Sequence, residues 1–178
     1  MRFDASLYVI LVASASCLDH STPAPTSLLQ TDSAAILTGA TAYELEAGSG
    51  GYAATIGFVF TNPRQAAVYV VNCGGVAPPD LEKLVNGEWV RAWSAVVPLC
   101  LSPPLVIGAG QEYQGELHLF AGYPGGNTYP KFETSQISGV YRLLWDNVLS
   151  SYNSRDYPFG PQLPLEQRVS NSFTLKTP

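Results

Sequence analysis

The sequence is poor in charge and in helix-type patterning, and these absences exclude several classes of protein. Only 13% of the 178 residues are charged, and the net charge is −5. The chain has no basic stripe that could meet phosphates, which argues against a nucleic-acid binder. No apolar run at helical spacing is long enough to predict a helix. The 16 glycines and 14 prolines are instead typical of many short strands joined by turns.

Motifs of catalysis and of metal binding are missing as well. The sequence contains no Gly-x-Ser-x-Gly motif, no histidine-centred arrangement and no cluster of metal ligands. One of its two histidines, His118, falls on the polar face of a predicted strand, where no nucleophile or carboxylate is placed to work with it. We therefore expect a protein that is not an enzyme and that uses no cofactor and no metal.

The first residues have the pattern of a secretory signal. The apolar run 5–13 is too short to span a bilayer, and small residues then lead to Cys17. Small residues directly before a cysteine resemble a bacterial lipoprotein signal, which implies that Cys17 carries the lipid. Two alternatives stay open. Cleavage after Ala15 would release a secreted, soluble protein, or the apolar run could pack as an N-terminal strand.

These features predict three parts of the chain and a compartment. Residues 1–16 form the signal, residues 17–34 form a tether rich in Pro, Ser and Thr, and residues 35–178 form the folded domain. A tether after a lipidated cysteine would hold the domain clear of the membrane. We therefore expect a protein of the bacterial cell envelope that meets the membrane through a lipid anchor only.

The stretch Tyr52–Cys73 gives the strongest strand signal. Apolar residues occupy every second position of its first half, which is typical of a strand with one buried face. The turn 62–64 follows, and Ala67–Cys73 reads as a second, more uniformly apolar strand. The stretch therefore predicts a central hairpin.

Alternating patterns predict further strands along the chain. They cover Tyr43–Glu46, Leu81–Val85, Glu88–Trp93, Leu105–Ile107, Glu112–Phe120, Gly139–Trp145 and Val169–Leu175. Two of them flank Asn86-Gly87, the strongest two-residue signal for a hairpin. About eight or nine antiparallel strands without a helix predict an all-β, two-sheet sandwich.

Three large side chains of one predicted strand share a face: Trp89, Arg91 and Trp93. One interpretation is that the tryptophans close an edge of the core while Arg91 lies across them. The alternative is an exposed aromatic ledge that binds a ligand.

The spacing of the cysteines allows one disulfide. A bond between Cys73 and Cys100 would close a loop of 28 residues, which stabilises a fold by roughly 3–4 kcal/mol in the chain-entropy treatment. Such a bond needs the oxidising compartment that a secretion signal supplies, and it leaves Cys17 for the lipid. The alternatives are two buried free thiols, or a metal site for which the sequence offers no third or fourth ligand.

Several segments together resemble a known family. They are FTNPRQAAVYVVNC, LEKLVNGEWVRAW, PPLVIGAGQEYQGEL, SGVYRLLW and RVSNSFTL. They resemble bacterial immunoglobulin-like domains of uncharacterised lipoproteins and, more distantly, the bacterial domain named for an intracellular proteinase inhibitor. The resemblance covers residues 43–176 and implies an immunoglobulin-like sandwich. Its motifs concern the fold, so it assigns no functional residue.

Two segments are too long for simple connections. Ala121–Gln136 and Leu149–Gln167 are rich in Tyr, Pro, Asn and Gly, a composition typical of recognition loops. We expect the second segment to form the binding loop, with the side chains of Tyr152, Asp156, Tyr157 and Phe159. The alternative is that these aromatic side chains cap the open end of the core.

The sequence thus predicts a non-catalytic, envelope-anchored binding or structural module. It would contact an unknown protein or glycan of the cell envelope through its loops or a sheet edge. The alternative function is that of a proteinase inhibitor, which would present an extended loop stiffened by Pro158, Pro161 and Pro164.

Overall fold

Short strands joined by turns make up nearly all of the regular structure, as the composition predicts. The computed structural model describes residues 34–97, 102–155 and 160–178. Within these ranges it contains twelve strands and one short 3-10 turn, Leu165–Gln167. The strands are β1 (Ile36–Thr38), β2 (Ala42–Glu44), β3 (Glu46–Ala47), β4 (Gly51–Thr61), β5 (Val68–Val70), β6 (Asp80–Val85), β7 (Glu88–Trp93), β8 (Leu105–Ile107), β9 (Glu112–Gly122), β10 (Gly139–Leu144), β11 (Val148–Leu149) and β12 (Phe173–Lys176).

The strands form sheets that pack as an all-β sandwich, which confirms the predicted fold class. The strands belong to three sheets rather than to the two that were predicted. In the first sheet, β9 pairs with β4 along its whole length, while β1 and β3 share the other edge of β4. The second sheet has the order β2-β12-β10-β6-β7, and the third has the order β11-β5-β8. The pairs within the sheets are antiparallel except β2 with β12, which is parallel.

An aromatic cluster around Trp145 forms the centre of the core. The rings of Phe58, Phe60 and Tyr113 lie 5.3–5.6 Å from the ring of Trp145. The indole N–H of Trp145 donates a 2.7 Å hydrogen bond to the carbonyl oxygen of Ala77, so this buried polar group is satisfied. The apolar faces predicted for β4, β9, β10 and β12 all point into this core.

The hairpin predicted within Tyr52–Cys73 is wrong, although both of its strands exist. β5 lies in the third sheet and pairs with β8 and β11 rather than with β4. Asn62 gives the physical reason. Its buried side-chain amide nitrogen lies 2.9–3.0 Å from the carbonyl oxygens of Ala66, Ile107 and Gly108, which share its two N–H donors. These bonds hold a corner at which the chain leaves the first sheet.

The hairpin predicted at Asn86-Gly87 is confirmed. β6 and β7 pair across it, and both turn residues have positive φ, 52° and 88°, as a type I′ turn requires. The shared face predicted for Trp89, Arg91 and Trp93 is wrong, because the register shifts between Leu81 and Glu82. This irregularity directs Trp93 into the core while Trp89 stays on the outer face.

The described strands outnumber the eight or nine that were predicted. The additional strands β1, β3 and β11 have only two or three residues each. Segments this short carry no alternation of their own, so their pairing depends on neighbours that are distant in sequence.

Candidate binding edge

The outer edge of β9 is the most distinctive surface of the described part of the chain. β9 has eleven residues, and its partner among the described strands is β4 alone. An edge strand presents unpaired backbone groups and can therefore template another strand.

The hydrogen bonds of β4 fix the direction of the backbone groups of β9. The amide of Gly39 donates to the carbonyl oxygen of Gly57, and the amide of Thr61 donates to that of Ala35. The backbone N–H and C=O groups of the odd-numbered residues of β4 therefore point toward β1, and those of the even-numbered residues point toward β9. In the register Ile56↔Leu117, odd-numbered residues of β9 bond to β4. The amides and carbonyls of the residues between them point away from the sheet: Gln114, Glu116 and His118.

The far end of this edge is covered by other parts of the chain. The indole N–H of Trp93 donates a 2.9 Å hydrogen bond to the carbonyl oxygen of Phe120. The amide of Gly122 donates a 2.9 Å hydrogen bond to the carbonyl oxygen of Pro130. Both contacts agree with the outward direction of the even-numbered residues. Among the described residues, Gln114, Glu116 and His118 have no comparable backbone partner on this side.

Two apolar recesses lie beside the uncovered part of the edge. The smaller, about 170 Å³, is bordered by Gly115 together with Phe58 and Tyr113. The larger, about 360 Å³, is bordered by Leu117 together with Ala95, Val96 and Val97. Val76, Pro78, Glu116 and His118 line both recesses. We call this surface, β9 from Gln114 to His118 with its two recesses, the edge cleft.

The walls of the edge cleft expose a group of neighbouring apolar side chains. The side chains of Val76 and Val96 are 59% and 73% exposed, and Val97 is also exposed. Grouped apolar exposure of this kind marks interaction sites, whereas isolated exposed apolar residues are ordinary.

Gly115 borders the smaller recess and lies directly against two aromatic rings. A Cβ atom at this position would lie 2.5 Å from Cζ of Phe58 and 2.9 Å from Cε1 of Tyr113. Any other residue would have to displace one of these rings. The glycine thus lets the aromatic core approach the edge strand closely.

Carboxylates border the edge cleft without a matching cation. The Glu116 and His118 side chains are 63% and 75% exposed, and Oε2 of Glu116 lies 3.6 Å from Nε2 of His118. Glu112 is exposed on the same face. Among the described residues, no Lys or Arg side chain forms an ion pair with Glu112 or Glu116. His118 is a surface residue, as predicted.

Charges on the outer face of the second sheet are arranged differently. Arg91 pairs with Asp80 at 3.1 Å and with Asp146, and Asp146 also pairs with Arg168. Burial raises the pKa of Asp80 even though the guanidinium of Arg91 lies beside it and acts in the opposite direction. We call these four residues the arginine–aspartate network.

A second polar contact extends this face. The guanidinium of Arg142 pairs with Glu82 at 2.7 Å and lies 4.5 Å from the centre of the Trp89 ring. Trp89 is therefore covered by a cation rather than forming an exposed ledge. The polar groups of this face are occupied by one another, so we assign it a structural role.

The binding loop predicted from composition is only partly described. Tyr152 is half-buried, and its ring stacks on the ring of Tyr69 with centroids 6.2 Å apart and an interplanar angle of 28°. Asp156, Tyr157 and Phe159 lie outside the described residues. The structure therefore does not test whether the four predicted loop residues lie together, and their binding role stays a prediction.

The predicted cysteine sites are also only partly described. Cys17 and Cys100 lie outside the described residues, as do the signal and all of the tether except Ala34. Cys73 follows β5 and borders the larger recess of the edge cleft. The lipid site and the disulfide stay predictions.

The described ranges contain neither a cluster of metal ligands nor a membrane-spanning helix. In residues 34–97, 102–155 and 160–178, no group of three or more His, Cys, Asp or Glu side chains could hold a metal ion. The same residues include no helix that is long and apolar enough to cross a membrane.

Comparison with known proteins adds no assignment to this geometry. No family model matches the chain, and no curated protein matches it. The resemblance to immunoglobulin-like lipoprotein domains therefore stays an expectation from the sequence.

Proposed function

We propose that this chain is a non-catalytic binding module that takes an extended segment of a partner protein onto the outer edge of β9. The observation that carries the proposal is the edge cleft, in which outward-facing backbone groups lie beside two apolar recesses. Strand addition uses this combination. Backbone hydrogen bonds supply affinity, and pockets for alternate side chains supply specificity.

The arrangement favours a peptide over a glycan. The recesses are apolar, and the backbone groups at Gln114, Glu116 and His118 repeat at the spacing of a β-strand. A glycan would be better served by exposed aromatic rings beside the cleft. The ring of Trp89 is covered by Arg142, the ring of Tyr152 stacks on Tyr69, and Tyr129, which is 67% exposed, lines neither recess.

A proline substitution on the edge tests the proposal. Gln114→Pro removes an amide that points away from β4, so the sheet keeps its own hydrogen bonds while the edge loses a donor. The control Gln114→Ala keeps the amide. The probe is a displayed library of random peptides of about ten residues, selected on the wild-type domain.

The selected peptides should bind Gln114→Pro at least about tenfold more weakly than wild type, a loss of about 1.4 kcal/mol, and should bind Gln114→Ala normally. Melting temperatures of the variants establish that both are folded. Peptides that bind all three proteins equally would overturn the proposal. Peptides that respond to Tyr152→Ala instead would place the binding surface on the predicted loop.

We further propose that the domain is held at the cell envelope through a lipid on Cys17 and is closed by the disulfide Cys73–Cys100. Two hydrogen bonds support the disulfide. The Gly74 amide donates to Oγ of Ser102 at 2.9 Å, and the Asn72 side chain donates to the carbonyl oxygen of Pro103 at 2.9 Å. These bonds hold the residues on both sides of Cys73 against Ser102 and Pro103, which follow Cys100 in the sequence.

The lipid anchor is tested by Cys17→Ser in the protein expressed with its complete N-terminus. The wild-type protein should sediment with membranes, and the variant should not. An intact mass of the wild-type protein that starts at Cys17 and includes acyl chains would support the anchor, while a soluble wild-type protein starting at Ser16 would support secretion instead.

A further inference from the structure

We infer that the segment bound by the edge cleft is a strand in which apolar side chains alternate with basic ones. This inference rests on the proposed function and specifies the chemistry of the ligand. Its elements are the direction of the side chains of β9, the spacing of the recesses and the charge on the outer face.

The pleat of β9 determines where the side chains of an added strand point. Side chains that lie opposite one another in a sheet share a face. Ligand residues opposite Gly115 and Leu117 therefore point inward, toward the two recesses. Ligand residues opposite Gln114, Glu116 and His118 point outward, to the exposed face.

The inward positions call for apolar side chains. The two recesses adjoin Gly115 and Leu117, which are two residues apart along β9. This separation is about 6.6 Å, the distance between alternate side chains of one strand. A single added strand can thus place one apolar side chain in each recess, beside the exposed Val76 and Val96.

The outward positions call for basic side chains. Glu112 and Glu116 are exposed on this face, and within the described ranges only the ring of His118 lies within 4 Å of either carboxylate. Opposite charges that face each other across a strand pair stabilise it, and like charges destabilise it. Lys or Arg at alternate ligand positions would supply the missing cations.

The same charges disfavour two of the ways in which a second copy of this chain could bind. An antiparallel pair of β9 edges centred on Glu116 would set Glu116 against its own copy, and a pair centred on Gln114 would set Glu112 against Glu116 of the other copy. Repulsion of this kind is one way in which natural edge strands avoid self-association. A pair centred on Gly115 would instead set Glu112 against His118, whereas a basic strand from another protein avoids repulsion between carboxylates in every register.

Three fluorescent seven-residue peptides provide the test. The first alternates Lys and Val, the second alternates Glu and Val, and the third has the composition of the first with its Lys and Val residues in separate blocks. Anisotropy titrations measure their affinities for the wild-type domain, for Gln114→Pro, and for the double variant Glu112→Gln with Glu116→Gln. Melting temperatures confirm that each variant is folded.

The alternating Lys peptide should bind wild type at least about tenfold more tightly than either other peptide. The double variant should lose most of its preference for Lys over Glu, and added salt should weaken binding to wild type more than to the double variant. Equal binding of the Lys and Glu peptides, abolished by Gln114→Pro, would overturn this inference and leave the proposed function standing. Binding unaffected by Gln114→Pro, or no binding of any peptide, would overturn the inference. If binding is unaffected by Gln114→Pro, or if no peptide binds, the displayed-library selection still decides separately whether the edge binds peptides.

Discussion

The outer face of the second sheet and the edge cleft of the first sheet are both polar and both charged, but their charges are organised in opposite ways. In the arginine–aspartate network each charge lies against an opposite charge of the same chain. Glu116 in the edge cleft and Glu112 beside it are exposed on β9. Among the described residues, only the ring of His118 lies within 4 Å of either carboxylate.

The difference separates a structural surface from a surface suited to a partner. Charges that are matched within the chain hold neighbouring strands in register, and another molecule gains little by displacing them. Exposed carboxylates on an edge stay in contact with water in the free protein, so the absence of a cationic partner costs the fold little. They repel a wrong partner and attract a complementary one.

The largest effect should come from the predicted disulfide, which would fasten the wall of the edge cleft. Cys73→Ser is expected to lower the free energy of unfolding by roughly 3–4 kcal/mol, because the open chain gains conformational freedom. Urea denaturation of the oxidised protein measures this loss. Cys100→Ser should give the same loss, and a reductant should destabilise the wild type to the same level. Unequal effects of the two substitutions would mean that the cysteines do not share one bond.

The next largest effect should distinguish the two charged surfaces directly. Asp146→Ala leaves Arg168, whose side chain is only 11% exposed, without its carboxylate, and Arg91 loses one of its two partners. An unpaired charge at a site this buried costs about 3 kcal/mol. Glu116→Ala, on the exposed edge, should change the stability by less than about 0.5 kcal/mol. Thermal unfolding of both variants makes the comparison, and similar losses would contradict the different roles that we assign to the two surfaces.

Local patterns in the sequence were sufficient for much of the fold. The alternation in β4, β9 and β10 identified strands and their buried faces, because the side-chain period of a strand is a local property. The turn at Asn86-Gly87 was predictable for the same reason, since positive φ at both positions selects these residues. Which strands pair is not local. β4 pairs with β9, about sixty residues later, and no pattern within either strand specifies the other.

The candidate site was harder to predict than the fold. A free strand edge is defined by the neighbours that a strand lacks, and a sequence pattern does not contain that information. The composition of Leu149–Gln167 predicted a binding loop instead. A usable signal was present in β9, where Glu112 and Glu116 alternate with apolar positions, because charges on a strand often mark an exposed edge. The register shift that places Trp89 and Trp93 on different faces depends on how β6 and β7 pair. The sequence of β7 alone therefore does not predict it.

The smallest of these effects is confined to alkaline pH and compares a tyrosine under the second sheet with one beside the edge cleft. Tyr141 is fully buried, and its hydroxyl donates a hydrogen bond to the carbonyl oxygen of Ile137. Burial raises the pKa of Tyr141 to about 12, from an ordinary value of 10.0. The folded protein thus holds this proton more tightly than the unfolded chain does.

Between these two pKa values unfolding releases the proton of Tyr141, so stability should fall as the pH rises through this window, by up to about 2.5 kcal/mol. Tyr141→Phe should lose about 1 kcal/mol at neutral pH with its hydrogen bond, yet its stability should fall less steeply in alkali. Tyr113→Phe, at the edge cleft, should keep the wild-type slope because Tyr141 is still present. Urea midpoints from neutral pH to about pH 12 measure these slopes. Equal alkaline slopes for wild type and Tyr141→Phe would assign the alkaline loss to groups outside the core of the second sheet.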